Sequence, residues 1–194
     1  MLALCAALPV FGARQLSQNQ AWHSFGFDVC QLPCFAGITP GRSGFGSSSS
    51  TLVREVPAID PRMIATGSSL SFWARLPEQQ LSGVVRYELG GGVGEIRLNV
   101  TLPLEQVITQ LGTPDCLLAN TTDAPGVPTR IFWERGIVSI AAVLGTDQDA
   151  IHPNASVFAL WVRAVTPPDC SLRGALPWRG FAPLWAYSEA AKPA

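Results

Sequence analysis

Leu102-Pro103-Leu104-Glu105-Gln106-Val107-Ile108-Thr109-Gln110-Leu111-Gly112-Thr113-Pro114 sets Leu104, Val107, Ile108 and Leu111 at i, i+3, i+4 and i+7, the apolar stripe of a short helix. Pro103 suits the first turn, Gly112 a left-handed exit, and Pro114 bars continuation. Downstream the period changes from helical to extended. Beyond a Thr-, Pro- and Gly-rich loop over 119–129, Ile131-Phe-Trp-Glu134 and Ile137-Val-Ser-Ile-Ala-Ala-Val143 flank the tight link Arg135-Gly136 and read as a β-hairpin. Ser156-Val-Phe-Ala-Leu-Trp-Val162 supplies a third strand.

A looser version of this order lies upstream. Ser47 to Val56 is a candidate helix stopped by Pro57, and Leu70–Arg75, Gly83–Leu89 and Val93–Val100 are candidate strands. The last alternates apolar and polar residues, the mark of a half-buried strand. The expected fold class is therefore α+β: tandem helix-plus-antiparallel-meander units, about 37–100 and 101–165, with short helices on one face of an antiparallel sheet. Residues 166–194 form a Pro- and aromatic-rich C-terminal tail.

Of 194 residues 47% are hydrophobic and 14% charged, which suits one domain or two fused halves with a sizeable core. With 13 basic and 14 acidic residues the net charge is -1 and no run of like charge occurs. Such a chain lacks the positive field that nucleic acid or an anionic membrane surface demands, so a nucleic-acid role is rejected. Eighteen glycines and 16 prolines favour short strands and turns.

Met1 to Ala13 is an apolar run of signal-peptide length, and Val10-Phe11-Gly12 offers residues of the size that signal peptidase accepts. Residues 1–13 are thus expected to be a signal peptide or the end of a membrane anchor, 14–29 a linker, and 30–165 the folded domain. A buried N-terminal element of a cytosolic protein is the alternative. Membrane association is expected only through this N-terminus if uncleaved. Export would remove Cys5 and leave Cys30, Cys34, Cys116 and Cys170, an even set that reads as two disulfides. The natural pairing is Cys30 with Cys34 and Cys116 with Cys170, although four cysteines allow three pairings. A four-cysteine zinc site is the rival reading, disfavoured by the distance between Cys116 and Cys170 in the chain. The spacing Cys-x3-Cys matches neither a redox Cys-x2-Cys nor a haem-attachment motif.

The segment Thr101-x5-Val107-x3-Leu111-Gly112-x-Pro114, followed by an aromatic strand, resembles the helix and turn of the small lipoprotein of the bacterial outer-membrane barrel-assembly machinery and of the related β-lactamase-inhibitor-protein fold. Leu32-Pro33-Cys34-x2-Gly37-Ile38-Thr39-Pro40-Gly41 resembles the opening of uncharacterised exported bacterial proteins. The resemblance implies a tandem helix-plus-sheet module whose sheet face binds other proteins. The first unit lacks the Leu-Gly-x-Pro turn, and shared fold does not transfer a partner.

Gly41-Arg-Ser-Gly-Phe-Gly46 has the glycines of a phosphate loop without the Lys-Ser/Thr ending and reads as a turn. His23 and His152 are the two histidines; a serine triad would require an elbow motif that is absent. Trp73, Trp133 and Trp161 sit on predicted strands, while Trp178, Phe181, Trp185 and Tyr187 occupy the tail, which either packs back on the domain or presents an aromatic patch. The candidates for an interaction face are Trp73, Trp133, Trp178 and Trp185.

The sequence thus predicts an extracytoplasmic, non-enzymatic module of the cell envelope or extracellular space, with a protein partner and no cofactor or metal. The alternatives are a hydrolase assembled from scattered residues such as His152 and Asp149, or a structural envelope protein.

Overall fold

A computed structural model describes residues 30, 33–56, 58–60, 62–75, 80–119, 128–145 and 150–188. The expected leader over 1–13, the linker over 14–29, His23 and Asp149 lie outside the described residues. Among these, the elements in chain order are helix α1 (Ser48–Glu55), strands β1 (Ile64–Ala65), β2 (Ser69–Arg75), β3 (Gln80–Tyr87) and β4 (Val93–Pro103), helix α2 (Leu104–Leu111), strands β5 (Cys116–Leu118), β6 (Arg130–Arg135), β7 (Val138–Leu144), β8 (Ser156–Ala164) and β9 (Leu176–Pro177), and helix α3 (Leu184–Ser188).

The strands form one antiparallel sheet in the order β1-β2-β3-β4-β8-β7-β6-β5-β9, so β4 and β8 meet at the centre. This is an α+β fold that is mostly sheet. Both edge strands are two residues long, which leaves little free backbone for edge-to-edge pairing. No helix among the described residues is long and apolar enough to cross a membrane.

Helix α2 shows why the quoted segment is decisive. Its first donors are satisfied from outside the helix: the N–H groups of Leu104 and Glu105 donate to the carbonyls of Ala155 and Pro153, at 2.9 and 2.8 Å. Its last carbonyls are held by β6, where Trp133 Nε1–H donates to Gly112 O at 2.8 Å and Arg135 donates to Leu111 O at 2.9 Å. Gly112 leaves the helix at φ +79, a conformation that favours glycine. Leu104, Val107 and Leu111 face the core. Each such side chain contributes roughly 1.5–3 kcal/mol on burial.

The sheet has a helix side and a helix-free side. On the first, Leu52 of α1 and Leu104 and Val107 of α2 join Phe72, Leu81, Ile96, Leu98, Ile140, Trp133, Leu160 and Val162 in one core. Phe35, from the segment before α1, stacks on Phe72 at 5.9 Å between ring centroids.

Gly83 on β3 is the tightest point of this layer. A Cβ there would lie 2.5 Å from Phe72 Cζ and 2.7 Å from the Arg97 carbonyl oxygen. Because the second neighbour is backbone, Gly83→Ala is expected to cost about 2–3 kcal/mol, read as a shifted midpoint in urea unfolding at unchanged slope.

The four candidate cysteines come together in two pairs at disulfide distance, Cys30 with Cys34 and Cys116 with Cys170, with Cα–Cα separations of 6.0 and 5.7 Å. The second pair anchors the tail. After β8 the chain crosses the helix-free side, where Arg163 pairs with Asp169 and the Cys170 N–H donates to Glu134 Oε1 at 3.0 Å. It then pairs with β5 through β9 and turns to the helix side, where Tyr187 is fully buried and Trp178 and Leu184 pack against the core.

Candidate functional site

Strand register arranges the helix-free face in cross-strand rows, because residues opposite one another on neighbouring strands point the same way. One row reads Ser69, Arg86, Glu95, Arg163, Ser139 and Glu134 from β2 to β6. The next reads Ser71, Val84, Arg97, Trp161, Ala141 and Phe132. The third reads Trp73, Ser82, Asn99, Ala159, Val143 and Arg130.

The two halves of this face differ. Over β5, β6 and β7, Cys116, Phe132 and Ala141 are buried beneath Cys170 and Ala175 of the tail. Over β2, β3, β4 and β8, Trp73, Ser82, Val84, Arg97 and Trp161 remain partly exposed, and Asn99 and Arg86 are exposed. The open half therefore mixes tryptophan, arginine and small polar side chains on rigid strands.

Trp161 is its centre. The Arg97 guanidinium lies 4.6 Å from the ring centroid and that of Arg130 5.9 Å, both within cation–π range. Arg97 is paired with Glu95. Burial pushes the Arg97 pKa down, and the charges of Arg86 and Arg163 push it further. Burial likewise lowers the Arg130 pKa, followed by repulsion from Arg163, with Asp169 opposing. Among the described residues Arg130 has no ion-pair partner, and its Nε is buried without a hydrogen-bond acceptor.

Trp73 stands at the margin of the same face. Its Nε1–H donates to Asp60 Oδ2 at 3.2 Å, and Asp60 also holds the Arg62 guanidinium at 2.8 and 3.0 Å. Those Arg62 hydrogen bonds, side-chain first, hold the Asp60 carboxyl far below its usual value. Trp73 is thereby oriented by a charged anchor.

Trp133, paired in expectation with Trp73, faces the other way. It is 0% exposed on the helix side, where it caps α2, and the two rings do not share a surface. Its neighbour Phe132, with the same aromatic signal, is the one that points to the helix-free side. Trp178 is packed against the core and touches Phe181 and Tyr187, so the tail wraps the domain here instead of presenting a free patch. The Trp185 side chain lies outside the described residues.

A shallow open depression of about 490 Å³ adjoins the charged row, walled by Arg86, Glu88, Glu95, Arg163, Thr166 and Asp169 among others. Its two arginines and three carboxylates largely neutralise one another. His152 is exposed near the start of β8 and does not line it. Asp149, the proposed partner of His152, falls outside the described residues. No group of three or more metal-ligating side chains occurs among the described residues.

No family model matches the chain, and no curated protein does. Among solved structures the chain is similar to a DUF4309 family protein (YjgB) from Bacillus subtilis subsp. subtilis str. 168, at 17% identity and a TM-score of 0.45, with 76% of this chain and 93% of that one covered.

Proposed function

We propose that this chain is an exported, non-enzymatic module that binds another protein through the open half of the helix-free sheet face. The observation that carries the reading is the contrast between the two halves of that face. One half is closed by a segment fastened at Cys116–Cys170, while the other leaves Trp73, Val84, Arg97 and Trp161 partly exposed on paired strands. Tryptophan and arginine are the residues enriched at protein interfaces, and strands hold them with little loss of freedom on binding. The order helix, strands, helix, strands supports reading residues 37–100 and 101–165 as two helix-plus-meander units joined at β4 and β8. Two disulfides favour an oxidising, extracytoplasmic setting.

The test is site-specific photo-cross-linking in the native host. A reactive residue at Asn99, exposed at the middle of the open face, is expected to trap one discrete extracytoplasmic protein. The same residue at Val53, exposed on α1, is expected to trap none. The trapped protein, once purified, should rebind the intact chain and lose about 2 kcal/mol of affinity to Trp161→Ala. Equal trapping from both positions, or none from Asn99, would contradict the reading.

A further inference from the structure

Strand register makes the open and closed halves of the helix-free face one surface. The row Glu95, Arg163, Ser139, Glu134 and the row Arg97, Trp161, Ala141, Phe132 run without a break from β4 through β8 and β7 to β6. What divides them is a strap over 166–175, the part of the tail between β8 and β9. Its non-covalent hold is slight. Asp169 is its one buried residue, and Thr166 to Pro168 and Ser171 to Gly174 are exposed. Besides the link at Cys170 it is held by the Arg163–Asp169 ion pair, by the Cys170 N–H on Glu134 Oε1 at 3.0 Å, and by Cys170 and Ala175 against Cys116, Phe132 and Ala141.

The strap covers this surface without satisfying it. Among the described residues the buried side-chain polar atoms that lack a hydrogen-bond partner are Arg130 Nε, Glu134 Oε2 and Ser139 Oγ, all on β6 and β7 and none on the helix side. Ser139 is 0% exposed and stands in register between Arg163 and Glu134, the two residues that hold the strap. A segment matched to its site answers such groups, because each buried polar atom left unanswered costs free energy. This is the fit of a cover that comes off, not of a permanent wall.

The chain has the slack to let it lift. Ten extended residues reach about 33–36 Å, whereas β8 and β9 are four strand positions apart, roughly 19 Å. The strap can leave the face while β9 stays paired with β5. The disulfide prevents this by pinning the middle of the strap to the first residue of β5.

We propose that the strap is a redox-released cover, and that opening Cys116–Cys170 extends the binding face from the open half across β7 and β6. The step is thiol–disulfide exchange with a dithiol protein of the extracytoplasmic space. Cys170 is partly exposed and Cys116 is buried, so a thiolate of the dithiol attacks Cys170 Sγ; the bond to Cys116 Sγ breaks with its electron pair on Cys116, which takes up a proton. The second thiol of the dithiol then attacks the mixed disulfide and releases Cys170 as a thiol. Two electrons and two protons pass to the chain, which ends with two thiols while the dithiol becomes a disulfide. The occupant of the extended face is the same protein that the open half binds, because Ala141 and Phe132 continue the row of Arg97 and Trp161. The inference rests on the interaction reading above and adds its regulation.

The test treats the full chain with dithiothreitol, with alkylation and mass spectrometry reporting which cysteines are free. Once Cys116 and Cys170 are reduced, exchange of the Cys170 amide hydrogen is expected to accelerate at least about tenfold, while the amides of β4, β7 and β8 keep their protection. The reduced chain, alkylated and freed of dithiothreitol, is expected to bind the protein trapped from Asn99 about tenfold more tightly than the oxidised chain. Cys116→Ser with Cys170→Ser should match it without treatment, and Cys30→Ser with Cys34→Ser should bind like the oxidised chain. Unchanged exchange at Cys170 after reduction overturns the inference, and so does loss of protection across the whole sheet, which would make the link a support of the fold and not the fastening of a cover. Equal affinity of the oxidised and reduced chains overturns this inference alone and leaves the interaction reading standing; binding to neither form removes both.

Discussion

Trp133→Ala is expected to cost about 4 kcal/mol of folding stability, among the largest effects of any single substitution in this chain. The ring is 0% exposed in the helix-side core, and its Nε1–H caps α2 by donating to Gly112 O at 2.8 Å. Truncation therefore leaves a cavity and loosens the C-terminal end of α2. Trp133→Phe separates the two contributions: it retains much of the volume, loses the hydrogen bond and is expected to cost about 1–2 kcal/mol. Urea unfolding followed by far-ultraviolet circular dichroism reads both. A cost below about 1 kcal/mol for the alanine variant would mean that β6 does not anchor α2.

Removing the Cys116–Cys170 link by the double substitution Cys116→Ser with Cys170→Ser is expected to cost a similar amount, about 4 kcal/mol. The link closes a loop with a sequence separation of 54, and loop-closure entropy sets this scale. Cys30–Cys34, with a separation of 4, should contribute only about 2 kcal/mol on the same argument. The longer link has a second consequence. It holds the tail over Phe132 and Ala141, so its loss should expose apolar surface and raise binding of a hydrophobic dye, while loss of the shorter link should not. Equal effects of the two pairs on stability and dye binding would contradict the assigned role of the tail.

The elements legible in the sequence are those whose period is uncontested. Val93–Val100 alternates cleanly and is a strand, and Leu104–Leu111 is the helix that the apolar stripe and Gly112 announce. Strand β7 is different. Every residue from Val138 to Leu144 is buried because both of its faces are covered, so an apolar run marks a strand without saying which side chains face the helices. Ile131-Phe132-Trp133 poses the same problem: an unbroken apolar run does not tell that Trp133 and Trp73 lie on opposite faces. Strands β1, β5 and β9 are two or three residues long and leave no periodicity to find. The Arg97–Trp161–Arg130 cluster was hidden for another reason. Its members come from β4, β8 and β6, and only the register of β4 with β8 and of β6 with β7 and β8 brings them together. The cysteine pairs, by contrast, follow the simplest pairing that the spacing offered.

The most direct test of the account is an amide-shift map recorded on the isotopically labelled full chain as the protein trapped from Asn99 is added. The account predicts perturbations centred on Trp73, Val84, Arg97 and Trp161, extending over β2, β3, β4 and β8, with α1 and α2 unmoved. Perturbations gathered on the helix side or around the tail beyond β9, with the Trp161 amide unchanged, would contradict the assignment of the open sheet face as the binding surface.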